Sequence, residues 1–297
     1  MNTVDSQDQQ YLKLIVDRIE VCKSYRPQFG QGKSVSRSEF ESLYGADPFY
    51  SWFGLNTPLL YAAHKAAGGI TSLYRQIGAG CEQLFRQIIC DRLQLTPAQV
   101  TWSYIVESPG SKPRTLSLDA RIQIDDIMPD AQRHSVEAWL RHATNDMGAD
   151  TAIARALKGV VFEVRQGYKS KDSKRQNADI ANAGTAYQQG YLPVVAVLST
   201  QIDEDVASRY RHAGWLLLRG SLGESSLSST YAFCKQVLGY DLAGFFERHS
   251  LTLKRTIEQT LAILLAPDDQ PNRSNQPEVE TDLDHDNEFK APDEDEA

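Results

Sequence analysis

Two carboxylates and one guanidinium in this chain are spaced for chemistry. In VVFEVRQG, Glu163 and Arg165 stand two residues apart. Val160, Val161, Phe162 and Val164 make the segment a strand by β-branching and apolar character. Alternation then puts Phe162 and Val164 on one face, Glu163 and Arg165 on the other. An acid and a base projecting together from a core-like strand are costly to bury without a purpose. Asp119, in LSLDARIQID, sits on the polar side of a second alternating segment. If the two strands pair, the carboxylates converge. Two carboxylates with a cation nearby suit Mg²⁺, a hard ion that leaves positions open for water and phosphate. Such an ion stabilises charge on a phosphate and helps generate hydroxide. Gly167 follows, and then Lys169, Lys171, Lys174 and Arg175 supply a cationic rim. The pattern suits metal-assisted chemistry on a phosphate backbone.

The elements that must hold these residues are legible in outline. Asp172 or Ser173 caps a helix running to Gln189, with Gly190 as its C′ residue. Leu192 to Leu198, LPVVAVL, is continuously apolar and reads as a strand covered on both faces. Strand, helix and strand make a βαβ unit. Val100 to Val106 reads as a strand, ESPGSKP as a turn, and Leu116 to Asp125 as one alternating strand. In that strand Leu118, Ala120, Ile122 and Ile124 share a face opposite Asp119, Arg121, Gln123 and Asp125. Upstream, Tyr11 to Tyr25 is an amphipathic helix, Arg26 to Ser38 a loop and Ser36 to Tyr44 a short helix. Phe49, Tyr50, Trp52 and Phe53 are assigned to packing rather than base stacking. Pro58 to Leu93 is helical, with a break expected at Gly68-Gly69. Glu82 lies in its second half, beside the apolar face. Val136 to Lys158 is helical with an interruption at Gly148. Asp203 to His212 is a helix and Trp215 to Leu218 a short strand. Leu227 to Leu238, Leu242 to Arg248 and Leu251 to Leu265 are three further helices.

Composition bounds the class. At 41% hydrophobic and 24% charged, the 297 residues are those of an ordinary globular chain. MNTVDSQDQQ has no basic n-region or apolar h-region, and the longest apolar runs are too short to span a bilayer. Cys22, Cys81, Cys90 and Cys234 show no CxxC spacing and read as buried free thiols, which points to the cytoplasm. The net charge of −8 is uneven. Residues 267–297 hold 12 of the 39 acids and 2 of the 31 bases, leaving a near-neutral body with 27 and 29. The division expected is an N-terminal helical and loop extension at 1–57, a core with C-terminal helices at 58–266, and a disordered acidic tail at 267–297. GQGKSVS lacks Walker spacing, no GxGxxG follows a strand, and the histidines form no ligand cluster. No nucleotide cofactor is expected.

A helix Glu, a strand Asp, a strand Glu-x-base and then a helix resemble the PD-(D/E)XK nuclease superfamily, and within it the type II restriction endonucleases. Glu82 in GAGCEQLF matches the acid of the first core helix, Asp119 in SLDAR the metal-binding Asp, and Glu163-Val164-Arg165 the (D/E)-x-K element. The segment with SKRQNAD is similar to the recognition segment of restriction enzymes that cut CCGG-containing sites. The resemblance covers about Ile77 to Leu198. It implies an α/β or α+β fold, a central mixed sheet flanked by helices, restriction-endonuclease-like, with helical N- and C-terminal additions. It implies Mg²⁺-dependent, sequence-specific cleavage of double-stranded DNA by a homodimer, with Glu82, Asp119 and Glu163 as metal ligands. Lys169, Lys171, Lys174, Arg175, Gln176 and Asn177 would contact the DNA, lysines on phosphates and Arg175 or Gln176 on base edges. Leu118 stands where proline precedes the family's Asp, and Arg165 where lysine is expected. Arginine stays charged and cannot act as a base. Either Arg165 fills the site with altered duties or Lys169 reaches in. A repair or junction-resolving nuclease of the same fold, and a catalytically inactive nucleic-acid-binding relative, are the alternatives.

Overall fold

The computed structural model describes residues 3–29, 33–106, 114–167 and 182–266. Helix α1 (Thr3–Val21) buries Tyr11, Leu12, Ile15 and Ile19, the i, i+4 spacing of one apolar stripe. A short β1–β2 pair (Gln28–Phe29 and Lys33–Ser34) follows, within the segment expected to be a loop. Helix α2 (Arg37–Gly45) starts with a Ser36–Glu39 capping box. Helix α3 (Pro48–Trp52) is capped by Asp47.

Helix α4 (Pro58–Leu93) is the longest described element, 36 residues from a Thr57 cap to Gln94 in the left-handed region. The expected break at Gly68-Gly69 is absent. A Cβ on Gly68 would meet the Tyr25 ring, and one on Gly69 would meet the Leu264 side chain, both inside 3 Å. The pair lets neighbouring side chains approach the helix axis. That packing offsets the propensity cost of about 1 kcal/mol per glycine.

Helix α5 (Pro97–Val100) leads into β3 (Trp102–Val106), which pairs antiparallel with β4 (Arg114–Leu118) as a ribbon of its own. The expected single strand over Leu116 to Asp125 is therefore two. The backbone bends at Asp119, and β5 (Ala120–Gln123) joins a different sheet before a 3₁₀ turn at Ile124–Asp126. Helices α6 (Asp130–Asp146) and α7 (Thr151–Ala156) are separated where Gly148 takes a positive φ. Strand β6 (Gly159–Arg165) follows, then a helix at residues 182–188 (α8), β7 (Tyr191–Val197), α9 (Glu204–His212), β8 (Leu216–Leu218), α10 (Thr230–Gln236) and α11 (Leu242–Leu265). Helix α11 runs unbroken through Ser250, where two helices were expected.

The main sheet has the order β5-β6-β7-β8. Strand β5 is antiparallel to β6, while β6, β7 and β8 are parallel, so the sheet is mixed and the chain is of the α+β kind. Both faces are covered. Val160, Phe162 and Val164 of β6 face a core built with α1, α4, α6, α10 and α11. Val161 of β6, with Val195 and Val197 of β7, faces a second core made with the β3–β4 ribbon, α8 and α9. Covering on both sides explains why β7 is buried along its whole length and reads as an uninterrupted apolar run. Helix α1 belongs to the first core and packs on α4 and α11. All four cysteines are buried free thiols.

Candidate functional site

Strand β6 supplies the centre. Glu163 sits between Phe162 and Val164 and is only 5% exposed. Its carboxylate is ion-paired with Arg165, whose side chain is 12% exposed. Alternation puts both on the side of Val161, away from the face where Phe162 meets Phe85 of α4 at 5.2 Å between ring centroids.

The second carboxylate arrives through register. Ala120 of β5 stands opposite Phe162, and Arg121 opposite Val161, in the antiparallel ladder. Asp119 comes immediately before Ala120, so it lies where the ladder ends, next to the part of β6 that carries Glu163 and Val164. The regular pairing stops at Ala120, and the Asp119 side chain takes over from the backbone. Its Oδ2 accepts the Val164 N–H at 2.7 Å. The bend itself is held from α4, where Arg86 Nε donates to the Asp119 carbonyl at 2.8 Å. The break in the strand is therefore what lets Asp119 turn its carboxylate onto β6.

Glu82 lies one turn before Arg86 on α4 and is half-buried. Helix α4 covers the Phe162 face of β6, whereas Glu163 projects from the opposite face. Its neighbour Cys81 is close enough to Tyr231 to raise that phenol, after burial, to about 12. Tyr231 Oη in turn donates to the Leu198 carbonyl beyond β7. Leu198 N–H donates to the Arg165 carbonyl, and Arg86, one turn from Glu82, reaches the Asp119 carbonyl, so this stretch of α4 lies by the bend at the same end of the sheet. Among the described residues it does not join Asp119 and Glu163 in a three-member group of possible metal ligands. Lys169, Lys171, Lys174, Arg175, Gln176 and Asn177 lie outside the described residues, as do the ESPGSKP turn and the expected start of the helix at Ser173.

Comparisons with protein-family models, with curated proteins and with solved structures find no match. No helix among the described residues is long and apolar enough to cross a membrane.

Two arrangements escaped the sequence reading. Arg86 carries the i+4 relation to Glu82, but nothing in the sequence ties it to a bend formed 33 residues later. The other is a buried carboxylate, Asp8, on α1. It accepts from Tyr240 Oη at 2.9 Å and from Arg248 Nε and Nη2 at 3.0 and 2.6 Å, with His249 at 3.5 Å. Partners more than 230 positions away leave no local pattern. This cluster ties α1 to α11 and serves the fold. The aromatic residues Phe49, Tyr50, Trp52 and Phe53 correct an expectation, because all four are exposed. Helix α3 is too short to turn a full face onto a neighbour, and the Phe49 ring meets only those of Tyr50 and Phe53 beside it.

The donor set fits a hard divalent ion. Asp119 and Glu163 bring two carboxylates to one stretch of β6, and Mg²⁺ is commonly held by one or two carboxylates completed by water and phosphate oxygens. Arg165 adds a fixed positive charge beside them, in a setting nearly closed to water, where charges act strongly.

Proposed function

We propose that this chain is a Mg²⁺-dependent endonuclease that hydrolyses phosphodiester bonds of double-stranded DNA at a specific short sequence. It would act as a type II restriction enzyme of the PD-(D/E)XK kind, with a restriction-endonuclease-like core. The observation that carries the reading is the Asp119 carboxylate bound to the Val164 N–H of β6, between Glu163 and the Arg165 that is paired to it. Asp119 and Glu163 would hold the ion, with Glu82 at the same end of the sheet as a further acid. Bound Mg²⁺ supplies electrostatic stabilisation of the phosphoryl oxygens and a more acidic water. The rest falls to the chain. The Val164 N–H fixes one Asp119 oxygen, so that this carboxylate is oriented before substrate arrives. Arg165 neutralises charge but takes no proton, which leaves Lys169 as the side chain able to orient or deprotonate water. The basic residues from Lys169 to Arg175 would hold the DNA backbone, and Arg175, Gln176 and Asn177 would read bases. A palindromic site would be met by a two-fold homodimer.

The test is direct. Incubated with a sequenced plasmid and Mg²⁺, the full chain should give discrete fragments, abolished by chelation and restored by Mg²⁺. Intact plasmid at every Mg²⁺ concentration sinks the cleavage reading. A second reading has its own support, because an arginine paired to Glu163 competes with an ion for that carboxylate. On that reading the chain binds DNA in the presence of Mg²⁺ and leaves it whole, which a gel-shift assay on the same plasmid fragments detects.

A further inference from the structure

The carboxyl ends of the three parallel strands carry a second arginine. Arg165 of β6 stands opposite Val197 of β7, and Ala196 of β7 opposite Leu218 of β8. Beyond Leu218 the chains stay side by side, because the Gly220 N–H donates to the Ser199 carbonyl at 3.2 Å. Arg219 is therefore fixed at this edge of the sheet. Its backbone is two strand spacings from that of Arg165, about 10 Å. Both arginines belong to one face. Leu217, two residues before Arg219, packs in the core of Val161 and Val195, and the Arg219 guanidinium meets Glu204 of α9, whose Val206, Ala207 and Tyr210 line that core.

Glu204 faces two guanidiniums, with Arg219 Nη1 at 2.6 Å and Arg211 Nη1 at 3.8 Å. One acid against two bases leaves the group positive. It is also open to solvent, since the Glu204 side chain is 68% exposed and that of Arg219 28%. A guanidinium carries five N–H donors in a planar fork, and the Glu204 contact is made through Nη1.

We propose that Arg219 binds a phosphate of the DNA strand close to the one cut at Glu163, with Glu204 steering the guanidinium until that phosphate replaces it. The assignment rests on the nuclease reading for its substrate. A DNA strand carries a phosphate every 3.4 Å or so of axis, so a backbone lying across the Asp119–Glu163 site brings a neighbouring phosphate past Arg219. Arginine suits this role, because its fork matches two phosphate oxygens at once. The exchange leaves no charge stranded, since the carboxylate that is displaced already faces water.

The test titrates a labelled duplex with full-length wild type, Arg219→Gln, Arg219→Lys and Glu204→Gln at several salt concentrations, with chelator present so that nothing is cut. Arg219→Gln should weaken binding about 10-fold at low salt, as loss of one charge-assisted contact does. It should also flatten the salt dependence by about one unit of slope, and Arg219→Lys should restore that slope. Glu204→Gln removes an acid and keeps both arginines, so it should bind DNA more tightly than wild type. A pair that only staples α9 to β8 predicts something else: Arg219→Gln and Glu204→Gln would lower the urea midpoint together and change DNA binding alike. That result overturns the proposal. So does an Arg219→Gln protein with wild-type affinity and slope, which leaves the nuclease reading standing. A wild-type chain that binds no DNA removes both.

Discussion

Glu163 and Arg165 show how a buried pair divides stability from activity. Both side chains are almost wholly inside, so neither charge is hydrated enough to stand alone. Removing one takes away the other's ion-pair partner. Arg165→Ala should therefore destabilise the fold by about 3–5 kcal/mol, read as a lowered urea midpoint at unchanged slope. A loss under about 1 kcal/mol would mean that water or another group reaches Glu163 readily. Asp119 separates the two roles further. Asparagine retains an oxygen that can accept the Val164 N–H, whereas alanine leaves that donor unsatisfied. Asp119→Asn should fold like wild type and lose cleavage while still binding DNA. Asp119→Ala should lose cleavage and also about 1–3 kcal/mol of stability. Wild-type cutting by a well-folded Asp119→Asn protein would remove Asp119 from the site.

At the scale of elements, the pairing of β5 with β6 decides whether a site exists. Gly159 lies opposite Gln123 at the start of β6, and a Cβ there would come within 2.1 Å of the Ile122 carbonyl. Backbone cannot swing aside as a side chain tip does. Gly159→Ala should cost about 1–3 kcal/mol through forced displacement of β5, and should lower cleavage by shifting Asp119 against Glu163. Equilibrium unfolding and initial rates on the same preparation check both effects. The tie between α1 and α11 gives a pH dependence. Burial works to raise the Asp8 carboxyl, but hydrogen bonds from Arg248 and Tyr240, with the charges of Arg248 and His249, hold it below the ordinary carboxylate value. The unfolded chain then binds the proton more tightly. The stabilisation is present above the unfolded value of about 3.9 and is lost as pH falls through the lower folded value. Unfolding free energy should drop on acidification below about pH 4 in wild type, and Asp8→Asn should be less stable at neutral pH with a flatter acid limb. An unchanged acid limb in Asp8→Asn would show that other carboxylates govern it.

For the whole molecule, the uneven charge matters most. Helix α11 ends with Leu264 buried against Gly69 of α4, two residues before the last described residue, Ala266. The 12 acids and 2 bases beyond it oppose binding to a polyanion. Truncation after Ala266 should leave the melting temperature within a few degrees. It should tighten non-specific DNA binding at low salt, with the difference fading as ionic strength rises. Equal affinity of the two forms at all salt concentrations would show that the acidic segment stays away from the DNA. Unfolding on truncation would show that it supports the body.

The amino-acid sequence alone determined where regular structure forms whenever a local signal sufficed. Apolar runs mark β6 and β7, the stripe from Tyr11 to Ile19 marks α1, and Gly148 and Gly190 take the positive φ values that end their helices. It also singled out Asp119, Glu163 and Arg165, as charges carried by strand segments rich in core residues. What it could not supply depends on partners distant in the chain. Continuity of α4 through Gly68-Gly69 rests on Tyr25 and Leu264. The split of one alternating segment into β4 and β5 rests on Arg86 and on the Val164 N–H, since period-two alternation is the same in a straight strand and in a bent one. The exposure of Trp52 and its neighbours is decided by what α3 fails to meet, and ring chemistry is identical on either side of a surface. Local patterns fix local backbone. Which carboxylate stands beside which is a property of sheet register, and only the assembled tertiary structure sets it.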